Sequence, residues 1–355
     1  MAECIAAGLR DALPSATIEI VPVADGGEGT ADLIREACAG ERVVCEAHDP
    51  LGRAIQAQYV YVRDRRIAVM EMSEAAGLRR IGLRERDPVG ASTYGVGEML
   101  LDAGRRKISE VIVGLGGSAS NDGGFGMARA LGFRFLNGDG VELSGPVSEL
   151  PGLARILRPR DLRLPSVIGA ADVRNPLLGP RGATHTFGPQ KGATADQIEI
   201  LERALTHLAD VVARDLGCEY REAVGAGAAG GLGFGLMSFC GATIQPGFDL
   251  VAGMLDLDAA IQRADVVITG EGRLDEQTLE GKAPAGVARL ARKQGKRVFA
   301  IVGTAEEHPT THQLFDGVFA LARPPVTREQ AMSQTRELLR ERGREVARAL
   351  FLSCS

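Results

Sequence analysis

The sequence predicts an α/β protein: a doubly wound, mostly parallel sheet, with a second α/β domain containing an antiparallel meander inserted in it. Three observations predict this. Strand–loop–helix units alternate along most of the chain, and the hydrophobic period drops to two between Arg42 and Met72. The length of 355 residues suits about two domains of roughly 150 residues each. The expected division is a discontinuous Rossmann-like domain from 1–41 and 255–355, around an inserted domain from 42–254.

Ala2 to Leu13 places Ile5, Leu9 and Leu13 at helical spacing, with no residue ahead to cap the helix. Ile18-Glu-Ile-Val-Pro-Val23 reads as a strand ending in the polar loop Ala24 to Thr30, and Ala31 to Ala39 as a helix. Between Arg42 and Met72, Val43 and Cys45, then Ile55, Ala57, Tyr59 and Tyr61, then Ile67, Val69 and Glu71 alternate along three strands. Asp49-Pro-Leu-Gly52 and Arg63-Asp-Arg-Arg66 supply the turns. After Pro88 a helix is expected over Ser92–Ala103, then strands at Val111–Val113, Phe133–Leu136 and Val167–Ala170. Ile198, Leu201, Leu205, Leu208 and Val212 give the helix Asp196–Leu216 one apolar face. A buried strand, Val266–Thr269, leads into the loop Gly270–Asp275 and a helix over Pro284–Lys293. The strand Arg297–Val302 and an arginine-rich helix, Arg328–Leu350, complete the pattern.

Composition narrows the function. A net charge of −5 shows no basic surplus for nucleic acid or anionic membranes, and 4% aromatics with no Trp exclude a base-stacking platform. Six scattered cysteines without CxxC pairing argue against zinc and disulfides and fit reduced thiols in the cytoplasm. The N-terminus shows no signal-peptide pattern. Gly225–Ile244 is uncharged, but each of its seven glycines costs about 1 kcal/mol in a helix, so it reads as a buried turn feeding a short helix. Glycine is the outlier, 46 residues against a usual share of about 7%. Lysine is scarce: Lys107, Lys191, Lys282, Lys293 and Lys296 are the whole set.

Ligands of open α/β sheets bind beyond the carboxyl ends of strands, where glycines let backbone N–H groups approach an anion. Gly114-Leu-Gly-Gly-Ser-Ala-Ser-Asn-Asp-Gly-Gly124 follows a strand and precedes a helix, which fits a phosphate cradle. Gly114-x-Gly116-x-x-Ala119, with Asp139 about 20 residues on, also matches a dinucleotide fingerprint, although Asn121–Gly124 interrupts the helix. Gly225–Gly230 repeats the pattern without polar groups and suits close backbone packing. The long polar run Ala171–Thr194 holds Asp172, either a base, a Mg²⁺ ligand or a helix or turn cap, and Lys191, either a phosphate partner or a solvated lysine. Asp25 and Glu28 flank glycines after a strand, as do Glu271 and Asp275 with Arg273 between them. Such oxygen clusters suit Mg²⁺. Arg273 can grip a carboxylate bidentately, or pair with Glu271 or Asp275.

Five segments then carry a resemblance: Pro22–Thr30, Gly116–Gly124, Phe187–Ala193, Gly225–Gly231 and Thr269–Asp275. Their order and spacing resemble the bacterial glycerate kinase family, type I, from near residue 2 almost to the C-terminus. The resemblance implies transfer of the γ-phosphate of ATP, with Mg²⁺, to a hydroxyl of D-glycerate. It implies 2-phosphoglycerate as the usual product and 3-phosphoglycerate as the other. It also implies two α/β domains, one inserted in the other, with the site in the cleft between them, and it leaves a homodimer open. On this reading Asp172 is a base or metal ligand and Lys191 meets the transferring phosphate. Gly114, Gly116, Gly117, Ser118, Ser120 and Asn121 hold the nucleotide phosphates. Arg273, Asp25 and Glu28 bind substrate, and Glu271 with Asp275 holds metal. The family opens with an apolar strand and an Asp-Ser-Phe-Lys-Gly-Ser-like loop, neither of which precedes Met1-Ala-Glu-Cys-Ile-Ala. A main sheet short of its first strand, with impaired folding or activity, is therefore expected. The rival readings are an NAD(P)-binding oxidoreductase and a truncated, non-catalytic family member.

Overall fold

The alternating segment folds as β1 (Glu41–His48), β2 (Ala54–Val62) and β3 (Ile67–Glu71) in a computed structural model that describes residues 1–274, 283–306 and 308–352. The three strands pair antiparallel, and Ala57, Tyr59 and Tyr61 enter the core from one face of β2, as their spacing requires. The β1–β2 turn is closed by Asp49, whose Oδ1 accepts from Leu51 N and Arg53 N, both at 2.9 Å.

Further along come β4 (Glu110–Gly114), β5 (Arg134–Asn137), β6 (Leu153–Leu157), β7 (Ser166–Ala170) and β8 (Thr243–Gln245). One six-stranded sheet runs β1-β2-β3-β4-β7-β8, with β3, β4, β7 and β8 mutually parallel, so the sheet is mostly parallel. The antiparallel pair β5–β6 stands apart. Helix Ala195–Leu216 starts at a Thr194–Gln197 capping box and buries Leu201, Leu205, Leu208 and Val212 on the expected face.

A second sheet, in order β9-β10-β11, is wholly parallel: β9 (Val266–Leu274), β10 (Arg297–Ala305) and β11 (Gly317–Ala320). Helix Ala2–Ala12 packs along helix Thr335–Leu352, where a Cβ on Gly8 would overlap the Arg340 carbonyl, so the crossing requires glycine. Asp11 ion-pairs with both Arg340 and Arg344 at 2.7 Å, which holds its carboxyl well below the usual range.

The chain divides into two compact units: a discontinuous one of 1–23 with 252–355, and a continuous one of 24–251. The sequence boundary at 41 differs because helix Thr30–Ala37 packs on β2 and β3 of the continuous unit. Three other differences stand out. Residues 18–23 pair with no strand among the described residues, and Pro22 has no N–H to offer a ladder. The C-terminal helix is two, Arg328–Ser333 and Thr335–Leu352, broken where Gln334 leaves helical geometry. Gly270–Leu274 is strand rather than loop, as described below. No helix among the described residues is long and apolar enough to cross a membrane.

Candidate active site

Because β3, β4, β7 and β8 run parallel, their carboxyl ends open on one edge of the continuous unit. The ladder continues past the strands, with Met72 N donating to Gly114 O, Leu115 N to Ala170 O and Ala171 N to Gln245 O, each at 3.0 Å. The loop Ala24–Gly29 crosses this edge in backbone contact. A Cβ on Gly114 would lie 2.6 Å from Gly26 O, and one on Gly247 would overlap Asp25 O. Gly26 has φ 86°, a left-handed conformation open to glycine at no steric cost. Glycine here replaces side-chain packing with main-chain packing.

Asp172 lies just past β7. Its Oδ1 accepts from Gly247 N at 3.0 Å and the carboxylate also takes Phe248 N, so it caps helix Gly247–Met254. The capping alternative is therefore realised. Burial pushes its carboxyl up to about 6, and the negative charge of nearby Asp25 adds to the rise. Asp25 is half-buried and accepts from Gly27 N; Glu28 is exposed and would meet any side chain placed at Gly117. A carboxylate with an affinity near neutrality, beside a second acid and a helix N-terminus, is suited to taking a hydroxyl proton.

The segment 114–121 is layered. Gly114 belongs to β4, while Gly116 is half-buried and Gly117 exposed. Ser118, Ser120 and Asn121 are buried. Gly117 O accepts from Leu78 N and Ala119 N donates to Ala76 O, both at 2.9 Å, which ties the loop to the turn after β3. Beneath it, Lys191 is only 1% exposed and donates to Ser120 O at 2.6 Å. Burial pulls its ammonium down to about 7, while the charge of Asp122 works against that fall. A Cβ on Gly230 would overlap Ser120 O and come within 2.8 Å of Lys191 Nζ. Ala229, Gly230 and Gly231 are all left-handed, at φ 54°, 68° and 84°. Segment 225–231 is thus a packing floor, consistent with its lack of polar groups. Lys191 lies under the loop, sealed from solvent, so it is not the solvated lysine that the sequence also allowed.

The remaining expected residues lie on the other unit. β9 pairs with β10 as far as Leu274–Ala305, so Glu271 and Arg273 are strand residues. A Cβ on Gly303 would overlap Gly272 O, and such close main-chain approach made a paired strand read as a glycine loop. Arg273 is exposed and ion-pairs with Glu306; Glu271 is half-buried opposite Val302. Asp275, like Lys282, lies outside the described residues. No three His, Cys, Asp or Glu among the described residues group as a metal site.

Comparison with known proteins gives one answer. The model of the glycerate kinase family matches residues 1–351. The chain belongs to that family. It is similar to the glycerate kinase of Halalkalibacterium halodurans, at 41% identity over 98% of this chain and 92% of that protein. It is also similar to the glycerate 2-kinase of Escherichia coli, at 37% over 99% and 94%. A crystal structure of a glycerate kinase 2 from Salmonella typhimurium LT2 superposes with a TM-score of 0.84 at 40% identity, covering 99% of this chain and 93% of that one.

As a glycerate kinase family member, the chain is a phosphotransferase, and its geometry disposes of the dinucleotide reading. That fingerprint requires a helix opening at the glycines. Here helix Phe125–Ala130 starts six residues after Ala119, and Asp139 sits in an exposed turn after β5, in a different sheet from β4. Sequence reasoning missed two site-edge carboxylates. Asp122 is buried and caps that helix through Gly124 N and Gly126 N. Glu71 is buried at the end of β3 and accepts from Gly29 N and Ala31 N. A charged residue on the apolar face of an alternating strand was the signal for Glu71.

Proposed function

We propose that the chain transfers the γ-phosphate of ATP to a hydroxyl of D-glycerate in the cytoplasm, where ATP is made, giving 2-phosphoglycerate, with the 3-hydroxyl as the alternative acceptor. The observation that carries this reading is the position of Asp172: a half-buried carboxylate with a raised proton affinity, at the carboxyl edge of the parallel strands, beside the loop bearing Asp25 and Glu28. Phosphoryl transfer depends on positioning and charge neutralisation more than on a side-chain nucleophile. The open backbone at Gly116 and Gly117 is the proposed contact for the nucleotide phosphates, continued inward by Ser118, Ser120 and Asn121. Lys191 contributes positive charge from beneath. Asp172 orients the hydroxyl and takes its proton, and Asp25 and Glu28 border the substrate. On the discontinuous unit, Arg273 is the proposed partner of the glycerate carboxylate, and Glu271 with Asp275 the weaker proposed metal ligands.

The donor set fits Mg²⁺ of the kind carried on nucleotide phosphates. Such an ion needs only one or two carboxylates, and Asp25 and Asp172 are close enough for the charge of one to shift the other. When bound, it would neutralise phosphate charge. A coupled ADP-release assay with D-glycerate, resolving the 2- and 3-phosphates, tests the proposal. ADP release dependent on D-glycerate supports it. No release with D-glycerate, or binding of NAD(H) without ATP, would overturn it.

A further inference from the structure

Helix Thr30–Ala37 has no cap of its own. Gly29, at φ 90°, occupies the capping position and has no side chain to offer. Its first donors are instead taken from 42 and 40 residues away: Glu71 Oε1 accepts from Gly29 N at 2.9 Å and Ala31 N at 3.1 Å. A carboxylate there satisfies two orphan donors and faces the positive end of the helix dipole. The other oxygen, Oε2, lies 3.7 Å from Arg79 Nη2. Arg79 also holds the Ser73 carbonyl at 3.1 Å and the Glu74 carboxylate, and Arg80 holds Glu74 at 2.7 Å. Glu71 is thereby wired to the 73–80 turn, which itself grips Gly117 and Ala119.

The opposite flank of the Ala24–Gly29 loop is built the same way. Asp25 O abuts Gly247, whose N–H goes to Asp172. Each flank therefore has a carboxylate at or just past the end of a parallel strand, and each carboxylate takes two backbone N–H groups at the start of a helix. A cap from a helix's own first residue would fix only that helix. A cap supplied from the sheet fixes where the loop sits over the sheet.

We propose that Glu71 is a positioning residue that holds the Asp25-Gly-Gly-Glu28 loop at its place over the ends of β4 and β7, and so sets affinity for the hydroxy-acid substrate. The link to substrate rests on the reading that Asp25 and Glu28 border D-glycerate. The test uses the full chain with Glu71→Ala and Glu71→Gln, combining amide hydrogen exchange with steady-state kinetics. Losing a charged acceptor of two bonds should speed exchange at 25–31 by about tenfold or more, while β4 and β7 keep their protection. KM for D-glycerate should rise about tenfold or more with KM for ATP little changed, and Glu71→Gln, which retains an acceptor, should recover most of both. If Glu71→Ala does not fold, Glu71→Asp, one methylene shorter, serves the same comparison. Unchanged exchange at 29 and 31 overturns the proposal, as does loosening that spreads through β3, β4 and β7. Local loosening with unaltered kinetics overturns the link to substrate. A wild-type chain that does not phosphorylate D-glycerate would instead overturn the reading beneath it.

Discussion

The protein contains two parallel-strand edges that look alike in sequence and differ in construction. At the end of β4, Gly114 stands where the chain leaves the sheet and admits the backbone of the Ala24–Gly29 loop, which also crosses the ends of β3 and β7. The carboxylates there, Glu71, Asp122 and Asp172, are buried or half-buried and bound to helix N-termini. At β9, Gly270 and Gly272 lie within a paired strand, and Arg273 projects to solvent with a surface partner. Groups held by several buried hydrogen bonds are preorganised, whereas a long exposed guanidinium moves at little cost. On the proposed function, the first edge places the reacting atoms and the second grips the substrate anion. Substitutions at the two edges should consequently separate into kcat effects and KM effects.

The largest effect is expected at Asp172. Asp172→Asn retains an acceptor for Gly247 N but not a base, so kcat should fall by about 10²–10⁴ while Tm at neutral pH shifts upward by no more than a few degrees. Near-full activity would remove Asp172 from the chemistry and erase the contrast between the edges. Next is Gly230→Ala. The methyl would overlap Ser120 O, and the left-handed backbone adds about 1–2 kcal/mol, so a clear loss of Tm and of ATP affinity is expected together. Unchanged ATP affinity at lowered Tm would mean that the 114–121 loop does not serve the nucleotide. Arg273→Ala should come third: KM for D-glycerate up by roughly 10–100-fold, kcat largely kept, and Tm unmoved because the Glu306 pair is exposed. A collapse of kcat with unchanged KM would reverse the assignment of roles.

The two edges also differed in how far sequence could reveal them. The meander over 41–72 and helix 195–216 were legible because each carries its period over many residues, and the loops after β4 and β7 because polar residues crowd glycine there. β8 spans three residues and β11 four, too few to show any period. β9 was cut short at Thr269 because glycine inside a strand looks like the start of a loop. The burial of Lys191 and the role of Glu71 were illegible for a different reason. What defines each is a partner distant in the chain, Ser120 for one and Gly29 for the other, and no local pattern encodes such a distance.

The smallest expected effect joins the two ionisable groups of the first edge. Catalysis as proposed needs Asp172 ionised and Lys191 charged, so activity should rise with pH through about 6 and fall through about 7. Stability should move in the opposite sense. The raised Asp172 group makes the folded state bind more protons than the unfolded chain between about 4 and 6, so stability falls with pH across that range. The lowered Lys191 group makes the unfolded chain bind more protons between about 7 and 10.5, so stability rises there. Their joint contribution is least between 6 and 7, where activity peaks, as expected when a site is held in a costly electrostatic state for function. Tm measured against pH should show Asp172→Asn and Lys191→Met each flattening its own limb by a few degrees. Lys191→Arg, whose guanidinium stays charged, should abolish the alkaline fall in activity. If the stability minimum survives in the Lys191→Met/Asp172→Asn double variant, these two groups are not its source. The contrast between a preorganised edge and an adaptable one would then rest on geometry alone.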